Sequence, residues 1–355
     1  MANLAIYARN AGHRGPSTGK HAYFDLEGNT FHRYLTIFMH FLAIRGYSIH
    51  LRARPGSLGS WASRELFRQI KDIRLYFRDA NVPSSAWLFT DHPVERPHVR
   101  LDPDYFAGYD DGVGTFRLPM PMVDTFYFER THDREPRDPA EVRERGLFFF
   151  GNMDPEHYDR PELEEAFGCL NRHRLLQAVR THAPDRIHIP TDLDEVHVHD
   201  GKDIVMMGRQ QRYIKPSELR PVLERFDFFL APSGVVMPLC HNVVEAMSVG
   251  CIPILQYAHL MEPALRNGEE CLSFNTTDEL FAILDKMPNM PGSEVERMRR
   301  NVLRHYQRHL TPQAVIGKLE EKKATLERVQ LNAEWPSTML LLQRIRAAST
   351  DLSAR

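Results

Sequence analysis

Residues 226–255 read FDFFLAPSGVVMPLCHNVVEAMSVGCIPIL, and the order of elements in this stretch decides the fold. Residues 228–231 are wholly apolar, the mark of a strand buried on both faces. Pro232-Ser233-Gly234 follows as a turn, because proline presets φ and glycine admits backbone shapes closed to other residues. After a short loop the pattern predicts a helix over residues 242–249, ended by Gly250, and a second buried strand over 251–255. Strand, helix and strand joined so closely form a βαβ unit, which builds a parallel sheet with helices on its faces.

The same alternation recurs on both sides. Residues 146–150, 186–189 and 204–207 read as strands, with helices over 161–181, 216–226, 277–287 and 293–309. Toward the N-terminus, residues 4–8, 48–53 and 85–90 read as strands and 10–20 as a polar loop. Phe31, Tyr34, Leu35, Phe38, Phe41 and Leu42 recur at helical spacing, which predicts a helix over 31–44 stopped by Gly46; a second helical pattern covers 61–77. Residues 129–144 are almost wholly charged and contain Pro136 and Pro139, the composition of a linker. The expectation is an α/β protein with two Rossmann-like domains facing across a cleft, residues 1–140 and 141–311. A helical extension over 312–355 would return toward the first domain. Two cores are the default for 355 residues, since single cores stop growing at about 250–300.

Composition narrows the partners. With 45 basic and 47 acidic side chains the formal charge is -2, too small to steer the chain toward nucleic acid, so none is expected as a partner. No apolar run approaches the roughly 18–20 residues that cross a bilayer, and the run over 37–44 is broken by His40 and followed by Arg45. Peripheral contact with a membrane surface stays open. The first residues lack the pattern of a signal peptide, and Cys169, Cys240, Cys251 and Cys271 show no paired or metal-binding spacing, so a cytoplasmic setting is expected.

Chemistry concentrates in the opening stretch. A Ser-Gly turn after a parallel strand, leading to a helix start, presents free backbone N–H groups and the positive end of the helix dipole. Ser233, Gly234, His241 and Asn242 therefore suit a diphosphate, and Glu245, one turn inside the helix, can accept from both hydroxyls of a ribose. Upstream, Arg209, Arg212 and Lys215 place three positive charges on the loop after the strand over 204–207. Gly151-Asn152 closes the strand over 146–150, and Arg160 follows nearby beside Tyr158. In the first domain, Asp91 and His92 end the strand over 85–90, at the edge where ligands bind in such sheets. His32, His13 and Asp25 are further candidates there, and Gly28-Asn29-Thr30-Phe31-His32 opens the first helix.

Three patterns read as structural. Residues 15–21 echo a phosphate-binding loop, but Arg14 replaces its first glycine and His21 its magnesium ligand. His197-Val198-His199-Asp200 reads as an exposed strand edge, since no third or fourth metal ligand has recognisable spacing. Asp110-Asp111-Gly112 reads as a turn.

The segment Glu245-Ala246-Met247-Ser248-Val249-Gly250-Cys251-Ile252-Pro253-Ile254 resembles the Glu-Ala-x-x-x-Gly-x-Pro-Val signature in the donor domain of GT-B glycosyltransferases. The strand, Pro-Ser-Gly turn and Gly250-Cys251-Ile252-Pro253 are similar to exostosin-like members. The resemblance covers residues 226–274 and implies transfer of a sugar from a nucleotide-sugar donor to a hydroxyl on a glycan, a lipid-linked molecule or a protein. Glu245 would hold the ribose, and Arg209, Arg212 and Lys215, with Asn152 and Arg160, would contact the donor. No cofactor and no metal are implied, the nucleotide sugar being a co-substrate. An inverting transferase needs a base, for which Asp91, His92 and His32 are the candidates. One departure concerns stereochemistry: many retaining members carry a second glutamate where this chain has Met237. A nucleotide-sugar epimerase or phosphorylase of the same fold, or a non-catalytic nucleotide-sugar-binding or scaffold protein, are the alternatives.

Overall fold

The computed structural model describes residues 19–27, 32–52, 73–76, 82–108 and 114–353. The chain forms two compact units, Met1–Pro119 with Thr311–Arg355, and Met120–Leu310. No helix among the described residues is long and apolar enough to cross a membrane.

The first unit contains the strands β1 (His21–Asp25), β2 (Ser48–Arg52), β3 (Ile73–Tyr76), β4 (Trp87–Thr90), β5 (Val99–Asp102) and β6 (Thr115–Arg117). A seventh strand, Arg328–Gln330, is β13 in chain order. The sheet runs β3-β2-β1-β4-β5-β13-β6, and every pairing is parallel. In β1 the alternation Ala22, Phe24 inward and His21, Tyr23 half-buried gives one face to the helix His32–Ile44. Phe24 stacks on Phe89 at 5.0 Å, and Phe38 of the helix meets Phe89 edge-on at 5.2 Å, so these three rings join helix to sheet.

Several expectations change. The strand at 4–8, most of the loop at 10–20 and most of the helix at 61–77 lie outside the described residues. Residues 73–76 are strand, because Ile73 and Leu75 pair with Ile49 and Leu51 of β2 and sheet pairing outweighs a helical spacing. The stretch over 312–355 is not all helix. Helices Pro312–Glu321 and Trp335–Ser353 flank β13, which seats the fully buried Val329 between β5 and β6.

The second unit contains β7 (Glu144–Gly151), β8 (Ile187–His188), β9 (Ile204–Gly208), β10 (Phe226–Leu230), β11 (Ile252–Leu255) and β12 (Leu272–Ser273), again all parallel, in the order β12-β11-β10-β7-β9-β8. Every residue of β10 is buried, as the apolar run requires. Asp227 is tolerated within it because Arg145 and Arg299 stand 3.1 and 3.4 Å away.

The boundary after residue 140 moves to 119/120. The charged segment is not a free linker, because its backbone is tied to the second unit. Arg220 donates to the carbonyls of Thr131 and Arg134, Arg299 to that of Glu141 at 2.9 Å, and Arg143 donates to Val249 O at 2.9 Å. The expected helix over 161–181 is two, Pro161–Phe167 and Arg172–His182, separated at Gly168, whose φ of 63° closes the first.

Candidate functional site

The site grows from the C-terminal end of β10, the middle of the second sheet. Ser233 is buried, and its hydroxyl donates to Leu170 O at 2.9 Å. Gly234 donates to Pro238 O at 3.2 Å, closing a tight loop. A Cβ at Gly234 would stand 2.7 Å from Met237 O, so the glycine is required by the loop itself. Met237 is buried under the turn.

The loop ends at Cys240, which begins the helix His241–Met247 without a side-chain cap. Its first N–H groups therefore remain available to an acceptor. Asn242 is buried, and its Oδ1 has no hydrogen-bond partner. Glu245 is 3% exposed and accepts two bonds at one oxygen: Oε1 lies 2.8 Å from His241 Nδ1 and 3.2 Å from the N–H of Val123. The Val123 contact was invisible in the sequence, being 122 residues away.

Arg172 ties these pieces together and was also missed. It opens the helix Arg172–His182, is 4% exposed, and donates from Nε to Ser233 O at 3.1 Å and from Nη1 to Asn152 O at 3.3 Å. Its Nη2 reaches Cys240 Sγ at 3.5 Å, and its guanidinium lies 4.1 Å from the centre of the Tyr158 ring. One side chain thus joins the ends of β7 and β10 to the helix start. Gly151 leaves room for it, since a Cβ there would stand 3.2 Å from Nη1. The signal in the sequence was slight: an arginine directly after Asn171, whose side chain caps the helix.

Other predicted residues sit differently. Asn152 Oδ1 accepts from the Asp154 N–H at 2.9 Å and from Gln210, which holds the loop. Arg160 is exposed at the start of Pro161–Phe167; the ring of Tyr158 carries Arg172 instead. Arg209 is exposed and lies 5.2 Å from the Tyr213 ring centre. Arg212 stands 3.7 Å from Glu218, and Lys215 is exposed where the helix Pro216–Leu223 begins. Burial pushes the Cys169 and Cys271 thiols up to about 12, which disfavours either as a thiolate.

In the first unit, Asp91 and His92 follow β4. Asp91 Oδ1 accepts from the Glu27 N–H at 2.8 Å and lies 3.0 Å from His92 Nδ1. The carboxylate can only accept, so a neutral ring makes this contact with its proton on Nδ1 and its lone pair on Nε2, which stands 3.9 Å from Glu27 Oε1. Asp25 ends β1, buried, with its Oδ2 2.7 Å from Arg52 Nη1. His32 begins its helix, but its side chain lies outside what is described, as do His13, residues 28–31, 15–18 and 110–112. His197 and His199 lie in a loop, not on a strand edge, with the His188 ring 4.4 Å from that of His199. Among the described residues no group of three side chains is placed to hold a metal ion.

No protein-family model and no curated protein matches the chain. Among solved structures it aligns with HepE from Anabaena in complex with UDP, at 11% identity and a TM-score of 0.47, covering 86% of this chain and 100% of that one. A glycosyltransferase from Rickettsia africae aligns at 12% identity and a TM-score of 0.44, covering 86% and 98%. The N-terminal domain of trehalose-6-phosphate phosphatase from Candida albicans aligns at 8% identity and a TM-score of 0.44, covering 88% and 98%.

Proposed function

We propose that the chain is a glycosyltransferase that moves a sugar from a nucleotide-sugar donor to an acceptor hydroxyl, with the donor bound by the second unit. One observation carries the reading: the buried carboxylate of Glu245 lies one turn inside an uncapped helix that follows the central parallel strand β10. Phosphates at the free N–H groups of such a helix start place the attached ribose within reach of a carboxylate in its first turns. The resemblance of residues 245–254 to a donor-domain signature supports the same assignment.

In the proposed reaction the acceptor oxygen bonds to the anomeric carbon as the bond from that carbon to the phosphate oxygen breaks. The acceptor proton passes to His92 Nε2, and the nucleoside diphosphate leaves with the bonding pair. Asp91 holds the His92 ring in the tautomer this requires. No metal or cofactor has a step in this scheme.

A thermal-shift screen of the full chain against UDP-, GDP-, ADP- and CMP-linked sugars tests the reading. Stabilisation by one of these families, followed on adding an acceptor by release of its nucleoside diphosphate, or of CMP from a CMP-linked sugar, is the expected result. Conversion of the sugar nucleotide without an acceptor would indicate an epimerase, and binding without turnover a non-catalytic role. Stabilisation by none of them would remove the proposal.

A further inference from the structure

Arg172 is a buried cation without a counter-charge. Its three hydrogen bonds go to two carbonyls and a sulfur, its fourth neighbour is the face of a tyrosine, and no carboxylate among the described residues stands within ion-pair distance. The other buried arginines of the second unit differ. Arg220 lies 3.6 Å from Glu224, Arg299 lies 3.4 Å from Asp227, and Arg143 sits in the field of both carboxylates. A buried charge left uncompensated is costly, and a fold that keeps one has placed it where an anion arrives.

The surroundings add positive potential rather than cancel it. Arg172 occupies the first turn of its helix, where a cation is unfavourable, and that turn holds no acidic residue. Nor does the first turn of His241–Met247, whose preceding residue Cys240 is the one that Arg172 touches. Every other α-helix of the unit carries an acidic side chain in its first turn. The two helix starts without one are the two that meet at this guanidinium.

We infer that Arg172 binds the diphosphate of the donor and balances the charge that gathers on it as the sugar departs. This rests on the proposed donor site, and it moves the phosphate role from the strand-exit arginines to a buried residue. Arg209 and Arg212 are already engaged with Tyr213 and Glu218. The guanidinium has five N–H donors, of which the protein uses three. Two remain for phosphate oxygens.

Calorimetric titration of inorganic pyrophosphate into the full-length protein, Arg172→Met and Arg172→Lys tests the inference, with circular dichroism and the ligand-free unfolding midpoint as folding controls. The wild type is expected to bind. Arg172→Met should bind at least about ten-fold more weakly, the scale of one lost charge-assisted contact, and Arg172→Lys should recover part of the difference. Equal affinity in wild type and Arg172→Met, or no binding by the wild type, overturns the inference.

If Arg172→Met does not fold, two further measurements apply. Gly151→Ala, which crowds Nη1, should weaken pyrophosphate binding while leaving the helices intact. Hydrogen exchange of the wild type should slow on adding pyrophosphate at residues 151–153, 170–173 and 239–243; slowing elsewhere only would refute the placement. A protein that takes pyrophosphate at Arg172 but no nucleotide sugar refutes the proposed function and not this site. One that binds nucleotide sugars equally well without Arg172 does the reverse.

Discussion

His241 Nδ1 stands 2.8 Å from Glu245 Oε1, one helical turn away, so the carboxylate assigned to a ribose is already engaged by the protein. The same oxygen accepts from Val123, and both partners orient the side chain while leaving Oε2 outside these two bonds. Glu245→Gln keeps the shape and an acceptor for Val123 but removes the charge. The nucleotide identified by the donor screen should then bind about ten-fold or more weakly, because hydrogen bonds to charged groups contribute roughly 1.5–3 kcal/mol. Calorimetry checks this, and unchanged affinity would take Glu245 out of the ribose role.

The Asp91–His92 contact gives a kinetic prediction. Asp91 fixes the protonated nitrogen of the ring, so Asp91→Asn should disturb the tautomer and His92→Gln should remove the base. Both variants are expected to lower the transfer rate by about 100-fold or more, the usual scale for general base catalysis. Nucleotide affinity should stay at the wild-type value. A His92→Gln enzyme that transfers at the wild-type rate would show that another group takes the proton.

What could be read in the sequence followed from how local each feature is. Residues 226–255 announced β10, the turn, the helix and β11 because burial on both faces leaves an unbroken apolar run. β12 and β13, of two and three residues, left no such trace, and Val329 becomes a core residue only through its partners in β5 and β6. Residues 129–144 read as a linker because charge usually means solvent, yet here arginines of the unit bond to carbonyls of that segment. Glu245 was found through its neighbours in sequence. Arg172 and Val123 were not, because the contacts that bring them to Ser233, Cys240 and Glu245 exist only in three dimensions.

His50 predicts a pH dependence for the first unit. Burial, then His21 and Arg74, push its pKa from 6.5 down to about 4. The unfolded chain therefore takes up this proton first as the pH falls. Between pH 6.5 and about 4 the unfolded state binds more protons, so stability falls with falling pH across that window. His50→Gln should flatten the slope of unfolding midpoint against pH there. An unchanged slope would assign the acid sensitivity to other groups.

Gly250 joins the helix His241–Met247 to β11 with a φ of 75°, and a Cβ there would stand 2.9 Å from Leu303 Cγ. Gly250→Ala combines the left-handed penalty with overpacking against Leu303, about 2–4 kcal/mol together. Denaturant unfolding should show that loss. A change below about 1 kcal/mol would mean that the helix Gly292–His305 moves aside easily.

The Val123 bond yields the sharpest test of how Glu245 is used. Val123 has φ -60° and ψ 145°, angles that proline adopts, so Val123→Pro removes the N–H with little strain at that residue. Oε1 then keeps only His241, and a ribose hydroxyl no longer competes with a backbone donor for it. A neutral hydrogen bond is worth about 0.5–1.5 kcal/mol net, so nucleotide affinity should rise roughly two- to ten-fold, opposite in sign to the effect of Glu245→Gln. Calorimetry on the two variants and on their combination separates the cases. If Val123→Pro binds no more tightly than wild type, the Val123 bond persists in the bound state and Oε2 alone meets the ribose. If it gains affinity and the gain disappears when Gln replaces Glu245, the two residues act through the same oxygen.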